Sequence, residues 1–271
     1  MQLSEQDIKM PRYSVLDLFS GIGGFSLGLE RTGGFRTIGF CELEEHARRI
    51  LRKHWPNVPI FNDVRMLHGT DIAEPVDVIC GGFPCQDLSC AGKQKGISGE
   101  RSSLYREMLR LIGECVPRYA IFENVPNLLS GDGGRWFARF LYDLAAVGYD
   151  AEWHCIPAAS VGADHQRDRV WVIAYPSQDG DKRLKEGYLG ENKERQEGAI
   201  FADKLFNLLG WWRPLCGRAN SEPGICRIID GFPGGMDRLA RLGNAVVPAI
   251  PEMIGMAILS IEQTRRSLFC S

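Results

Sequence analysis

The stretch DLFSGIGGFSLGLE, Asp17 to Glu30, decides how the rest of the chain is read. It overlaps the end of a short apolar run, Ser14 to Phe19, and leads into a helical pattern, so it reads as a strand, a glycine-rich turn and the start of a helix. Gly21, Gly23 and Gly24 let the backbone turn tightly and let a ligand approach it closely. Taken alone, the turn reads equally well as a strand-to-helix connection without a ligand. The dinucleotide fingerprint G-x-G-x-x-G is not met, because Ser26 stands at its third glycine, and this argues against NAD.

Outward from that stretch, apolar runs at Thr37 to Cys41, Val76 to Cys80, Tyr119 to Phe122, Ala151 to Cys155 and Val170 to Tyr175 read as strands. Leu43, Ala47, Ile50 and Leu51 fall on one helical face, which predicts a helix over Glu44 to His54. Ser102 to Cys115 and Arg135 to Val147 read the same way. The alternation predicts an α/β fold with a mostly parallel sheet. It stops at Pro176. From Ser177 to about Glu197 the chain is charged, and an irregular mixture containing Trp211, Trp212, Arg213 and Arg218 follows. A structureless loop of that length is uncommon in a compact domain, so 176–231 reads as a small insert with its own function. Asn244 to Glu262 then resumes an apolar, helical pattern. The expected organisation is a discontinuous main domain, 1–175 with 232–271, interrupted by the insert.

Composition sets limits on function. Apolar residues make up 44% and charged residues 24% of the 271, which excludes a disordered chain. The 32 Lys and Arg against 34 Asp and Glu leave a net charge of −2, so a nucleic-acid partner must be met by a local surface. Nine scattered cysteines include no Cys-x-x-Cys pair, which predicts no metal site and a reducing cytoplasm. The first residues are too polar for a signal peptide, and the longest apolar stretch, Pro248 to Ile261, is interrupted by Pro251 and Glu252. No membrane role is expected.

Several chemistry-bearing residues fall just beyond expected strands. Glu42 follows the second strand, where such folds hold ribose hydroxyls, although an acid there also suits the start of the next helix. Asp63 lies at the tip of a further short strand. In Gly81-Gly82-Phe83-Pro84-Cys85-Gln86, two glycines and a proline shape a loop that presents Cys85 as a nucleophile, whereas Cys80 reads as buried and inert. Glu123, after the next strand, is a proton donor or a helix-start acid. Arg167 and Arg169 suit a phosphate or a base carbonyl, or else a surface ion pair with Asp168.

In this order, DLFSGIGGFSLGLE, Glu42, Asp63, GGFPCQDLS, FENVPNLL, QRDRVWVIA and RLGNAVVP resemble the motif series of the DNA cytosine C5-methyltransferases, from about residue 13 to 262. The resemblance implies a Rossmann-like, S-adenosyl-L-methionine-dependent methyltransferase fold with a small target-recognition region at 176–231. It implies cofactor contacts from Phe19, Gly21, Ile22, Gly23, Glu42 on the ribose, Asp63 on the adenine amine, Pro84, Asn244 and Val246. It implies covalent catalysis on a flipped-out cytosine: Cys85 adds to C6, Glu123 assists at N3, and Arg167 and Arg169 hold the base carbonyl and nearby backbone. Asn124 matches the residue that fixes the glutamate's loop. His165 stands where the family often has Gln, while the Arg-x-Arg spacing is kept. The loop Phe83-Pro84-Cys85-Gln86 lacks the second proline of the tRNA-directed branch, and that branch's Cys-Phe-Thr tripeptide is absent. The implied partner is double-stranded DNA, met by a monomer, in restriction-modification or phage and host DNA modification. Basic residues of the insert, Lys182, Arg183, Lys185, Arg213 and Arg218 among them, are the expected DNA contacts, and Arg227 to Pro233 matches the motif that organises that region.

Overall fold

A computed structural model describes residues 12–84, 104–162, 168–177 and 246–269. Seven strands form one sheet: β1 (Tyr13–Leu18), β2 (Phe35–Cys41), β3 (Ile60–Phe61), β4 (Val78–Gly82), β5 (Tyr119–Asn124), β6 (Tyr149–Pro157) and β7 (Asp168–Pro176). The helices are α1 (Gly24–Arg31), α2 (Glu45–His54), α3 (Tyr105–Cys115), α4 (Asn127–Ser130), α5 (Arg135–Ala146) and α6 (Ala249–Phe269).

The strand order is β3-β2-β1-β4-β5-β7-β6. All pairings from β3 across to β5 are parallel. The expected parallel character holds there, and β7 departs from it, running antiparallel to both β5 and β6. Only about ten residues separate β6 from β7, which is too short for a crossover helix and suits a direct antiparallel return.

Every residue of β1 is buried, because both faces of the sheet are covered. Leu16 and Leu18 pack with Met108 and Ile112 of α3 and Phe140 and Leu144 of α5. Val15 points to the opposite face, where Phe25 and Leu29 of α1 meet Met253, Ile254 and Ala257 of α6. Strand periodicity thus sorts one continuous apolar run into two cores.

Two expected boundaries move for identifiable reasons. Phe19 leaves β1, since its φ of 51° is a left-handed conformation that no strand accommodates. The expected helix from Asn244 begins at Ala249 instead, directly after Pro248, with Pro251 in the first turn, where a missing N–H costs nothing. Glu262, the expected end of that helix, lies within its body. It is buried and accepts hydrogen bonds from the Tyr13 hydroxyl at 3.1 Å and the Tyr119 hydroxyl at 2.8 Å, fastening α6 to the beginnings of β1 and β5. Among the described residues no helix is long and apolar enough to cross a membrane.

Candidate functional site

Connections run outward in opposite directions from β1 and β4, so a crevice opens between their carboxyl ends, where open α/β sheets bind ligands. The turn after β1, Glu42 after β2, Asp63 after β3, Pro84 after β4 and Glu123 at the end of β5 all stand on this edge. Because β7 is antiparallel, its beginning, with Asp168 and Arg169, arrives at the same edge. Cys85, Arg167 and Asn244 lie outside the described residues, as do 178–245 of the expected recognition region and main domain.

The turn after β1 is wound tightly. Phe19, Gly21 and Gly23 have φ of 51°, 54° and 87°, and the Gly23 N–H donates to the Ser20 carbonyl at 2.9 Å. The Ser20 hydroxyl donates to the Asp17 carbonyl at 2.6 Å. Among the described residues a Cβ on Gly21 would meet nothing within 4 Å, so no described neighbour covers the backbone of the turn there. Glu42, nearly buried, accepts from the Gly21 N–H at 2.7 Å through one oxygen and from the Glu44 N–H at 2.8 Å through the other. Its backbone is held in turn, since the Arg48 guanidinium donates to its carbonyl at 2.9 Å.

Asp17 was not singled out by the sequence, yet it ties the turn to α1. Fully buried, it accepts from the Ser26 hydroxyl at 2.7 Å and the Ser26 N–H at 3.3 Å, while its other oxygen has no hydrogen-bond partner among the described residues. Burial pushes its carboxyl up to about 7, against the opposing pull of the Ser26 hydrogen bonds. The signal was the serine at the third glycine of the fingerprint. In this fold that position carries a side chain that reaches back to the strand.

Gly24 and Gly28 were also missed as a pair. A Cβ on Gly24 would lie 2.6 Å from the Val246 carbonyl oxygen, and one on Gly28 would lie 2.1 Å from that of Pro248. The C-terminal segment therefore docks on a bare face of α1, bringing Val246 to the start of that helix. Asp63 accepts from the Arg65 guanidinium, with the closest contact at 2.6 Å, and this partner holds its carboxyl below the usual range.

On the other half of the edge, Gly81 and Gly82 correct the expectation that they belong to the loop, since both are residues of β4. Gly81 pairs with Leu18 and Gly82 with Glu123, and a Cβ would lie 2.5 Å from the Leu18 carbonyl oxygen at the first and 2.8 Å from Glu123 Oε2 at the second. These glycines supply lateral room, not turning freedom. Glu123 is likewise a strand residue, and its Oε1 lies 2.9 Å from Arg169 Nε, with both side chains largely buried.

Phe83 is buried, with its ring 5.8 Å from Tyr105 and 6.0 Å from Phe140. Asn124 Nδ2 donates to the Phe83 carbonyl at 3.1 Å, and Asn124 Oδ1 accepts from the Val125 N–H at 2.9 Å. One amide thus holds both the segment leading to Cys85 and the segment leaving Glu123. Cys80 is fully buried, and burial pushes its thiol well above the ordinary value, as expected for an inert cysteine.

The model of the C-5 cytosine-specific DNA methylase family matches residues 13–204, well over half the chain. The chain belongs to that family. Among curated relatives, the type II methyltransferase M1.ScrFI of Lactococcus lactis subsp. cremoris is 32% identical over 167 residues, covering 62% of this chain and 42% of the relative. M.Sau3AI of Staphylococcus aureus is 36% identical over 181 residues, covering 61% and 44%. The chain therefore spans less than half the length of these relatives. A solved structure of a putative DNA modification methyltransferase encoded within an E. coli prophage aligns with TM-score 0.51 and 29% identity, over 60% of this chain and 47% of that one. Schizosaccharomyces pombe Dnmt2, at 20% identity and TM-score 0.50 over 68% and 57%, shares the fold. The family and these neighbours agree with a Rossmann-like α/β architecture.

Proposed function

We propose that this member of the family methylates carbon 5 of cytosine in double-stranded DNA, with S-adenosyl-L-methionine as methyl donor. The observation that carries the reading is the Glu123–Arg169 ion pair beside Gly82, two residues before the segment that ends in Pro84 and Cys85.

The cofactor half fits such a ligand. The bare turn at Gly21 gives close backbone approach, and each Glu42 oxygen, having accepted one N–H, keeps a lone pair for a ribose hydroxyl. Phe19, Ile22 and Gly23 line the same turn, Val246 closes it at α1, and Pro84 stands across the crevice. Asp63 would take the adenine amine beside or in place of Arg65. Asn244, in the segment ending at Val246, belongs to the same role. When bound, S-adenosyl-L-methionine supplies an electrophilic methyl group.

The residues of the other half prepare the base. C6 of cytosine is reached by a nucleophile only once the base has left the duplex stack, at a cost of about a few kcal/mol. The Cys85 thiolate adds to C6, and Glu123, which takes up a proton as Arg169 turns its donors to the base carbonyl, passes that proton to N3, so that the ring takes up the electron pair and carbon 5 becomes nucleophilic. After methylation, loss of the C5 proton to solvent expels Cys85 as the thiolate, and N3 returns its proton to Glu123, which restores the neutral aromatic ring. Arg169 keeps Glu123 in place through one N–H and has further donors for the base carbonyl, with Arg167 as its companion. Residues 176–231 would read the DNA sequence, and the chain would work as a monomer in the cytoplasm, in restriction-modification or phage and host DNA modification.

Expression in a bacterium free of cytosine methylation, followed by bisulfite sequencing of its DNA, tests both activity and target. Protected cytosines in one sequence context are expected. Fully converted cytosines with soluble protein present overturn the proposal, and methyl transfer to tRNA alone moves the substrate to the family's other branch.

A further inference from the structure

We propose that Trp55 and Glu30 form the floor beneath the glycine turn and act as positioning residues for cofactor binding, an inference that rests on reading that turn as the S-adenosyl site. Trp55 directly follows α2, and its N–H donates to the Leu51 carbonyl at 2.7 Å. Its six-membered ring lies where a side chain on Gly23 would begin: Cη2 and Cζ3 are each 2.7 Å from the place of a Cβ, and Leu51 Cδ2 is 3.1 Å from it. The Gly23 backbone therefore rests on the Cζ3–Cη2 side of an indole. The ring also packs on Phe40 of β2, with centroids 5.1 Å apart and planes inclined at 60°.

The indole is held from its polar end. Trp55 Nε1 donates to Glu30 Oε2 at 2.9 Å, and Glu30 Oε1 accepts from the Thr37 N–H at 2.9 Å. One carboxylate near the end of α1 thus links that helix to β2 and to the end of α2. A rigid ring with a fixed N–H sets the height of what lies on it, because it has only two side-chain torsions and one of its orientations satisfies the carboxylate. Above it, Gly23 closes the turn onto Ser20, and that turn aims the Gly21 N–H at Glu42. The chain of contacts runs from Glu30 through Trp55 and Gly23 to the Gly21–Glu42 pair. Neither residue stands at the crevice itself, so the expected effect falls on cofactor binding and not on the chemical step.

The test titrates the purified full chain with S-adenosylhomocysteine by calorimetry and measures methyl transfer against cofactor concentration. Trp55→Phe removes the N–H and thins the floor, and it is expected to weaken binding about ten-fold. Glu30→Gln keeps the size and the ring, so it serves should the first variant fold poorly, and it is expected to weaken binding about three-fold. In both, KM for the cofactor should rise in step with the dissociation constant while kcat changes by less than about two-fold. Variants that melt at lower temperature yet bind the cofactor as tightly as the wild type overturn the inference alone, since a purely structural role predicts that result. A fall in kcat with unchanged KM also overturns it. A wild-type chain that takes up no S-adenosyl ligand overturns the proposed function and this inference together.

Discussion

At the turn after β1 the two acids are held by backbone and hydroxyl donors, Glu42 by the N–H groups of Gly21 and Glu44 and Asp17 by the N–H and hydroxyl of Ser26, while Asp63, farther out after β3, is held by Arg65. On the β4–β5–β7 side the acid is held by a charge, Glu123 by the Arg169 guanidinium. Backbone donors are fixed by the fold and do not follow a ligand, which suits a cradle that must have one shape before binding. A guanidinium keeps spare donors and can share them with an arriving group, which suits a site where a proton and a base carbonyl change partners. The difference teaches where rate and where affinity should be lost.

The largest expected effect lies on the second side. Cys85→Ala should abolish methyl transfer, by more than about 10⁴-fold, with cofactor binding close to the wild-type value. Measurable transfer by that variant would remove Cys85 from the role of nucleophile. Glu123→Gln keeps the shape and loses the proton donor, so kcat should fall by about 10²- to 10³-fold in single-turnover measurements. If cofactor affinity fell as far as the rate, the separation of the two halves would be wrong.

A smaller loss is expected from Gly82→Ala. The new methyl group would lie 2.8 Å from Glu123 Oε2 and must push the carboxylate off Arg169, so kcat should drop about ten-fold with little change in fold stability. Gly28→Ala makes the contrasting overlap, against the Pro248 carbonyl at 2.1 Å, where backbone meets backbone. It should cost about 1–3 kcal/mol of stability in urea denaturation and loosen the docking of α6.

These glycines also mark how far the sequence could be read. Apolar runs located six of the seven strands, most sharply the inner ones, where burial on both faces leaves an uninterrupted pattern, and less closely the half-exposed edge strand β6. The direction of β7 was not legible, since an apolar run looks the same in either orientation. Nor was the purpose of Gly81 and Gly82, because a strand neighbour 41 residues away, not the local backbone, forbids a side chain at Gly82. Glu42, Asp63 and Glu123 were found as isolated residues at expected strand ends, whereas Asp17 was missed. Their partners, Ser26 for Asp17 and Arg65 for Asp63, depend on side-chain directions that spacing alone does not supply.

Asp17 offers the finest test of the cradle side, with the smallest expected change in rate, under about two-fold. Its carboxyl sits at about 7 in the folded chain against 3.8 for the free group, so between these values the folded state holds a proton that the unfolded state has lost. Stability from this residue is therefore highest in acid, declines as pH rises from about 4 to about 7, and is level above that. The cause is the burial of a carboxylate with one oxygen unpaired, which ionisation makes costly. Asp17→Asn stays neutral throughout and still offers an oxygen to Ser26, so the decline should vanish. Acids such as the exposed Glu74 and the half-buried Asp63, whose carboxyls are lowered by arginines, have the opposite slope, with stability present above their ordinary range and lost in acid, but they are common to both proteins and cancel in the comparison. The difference in unfolding free energy between variant and wild type should thus move in favour of the variant from pH 5 to pH 8. Parallel stability curves for the two proteins would mean that the Asp17 carboxyl is no more costly to ionise in the fold than in the open chain.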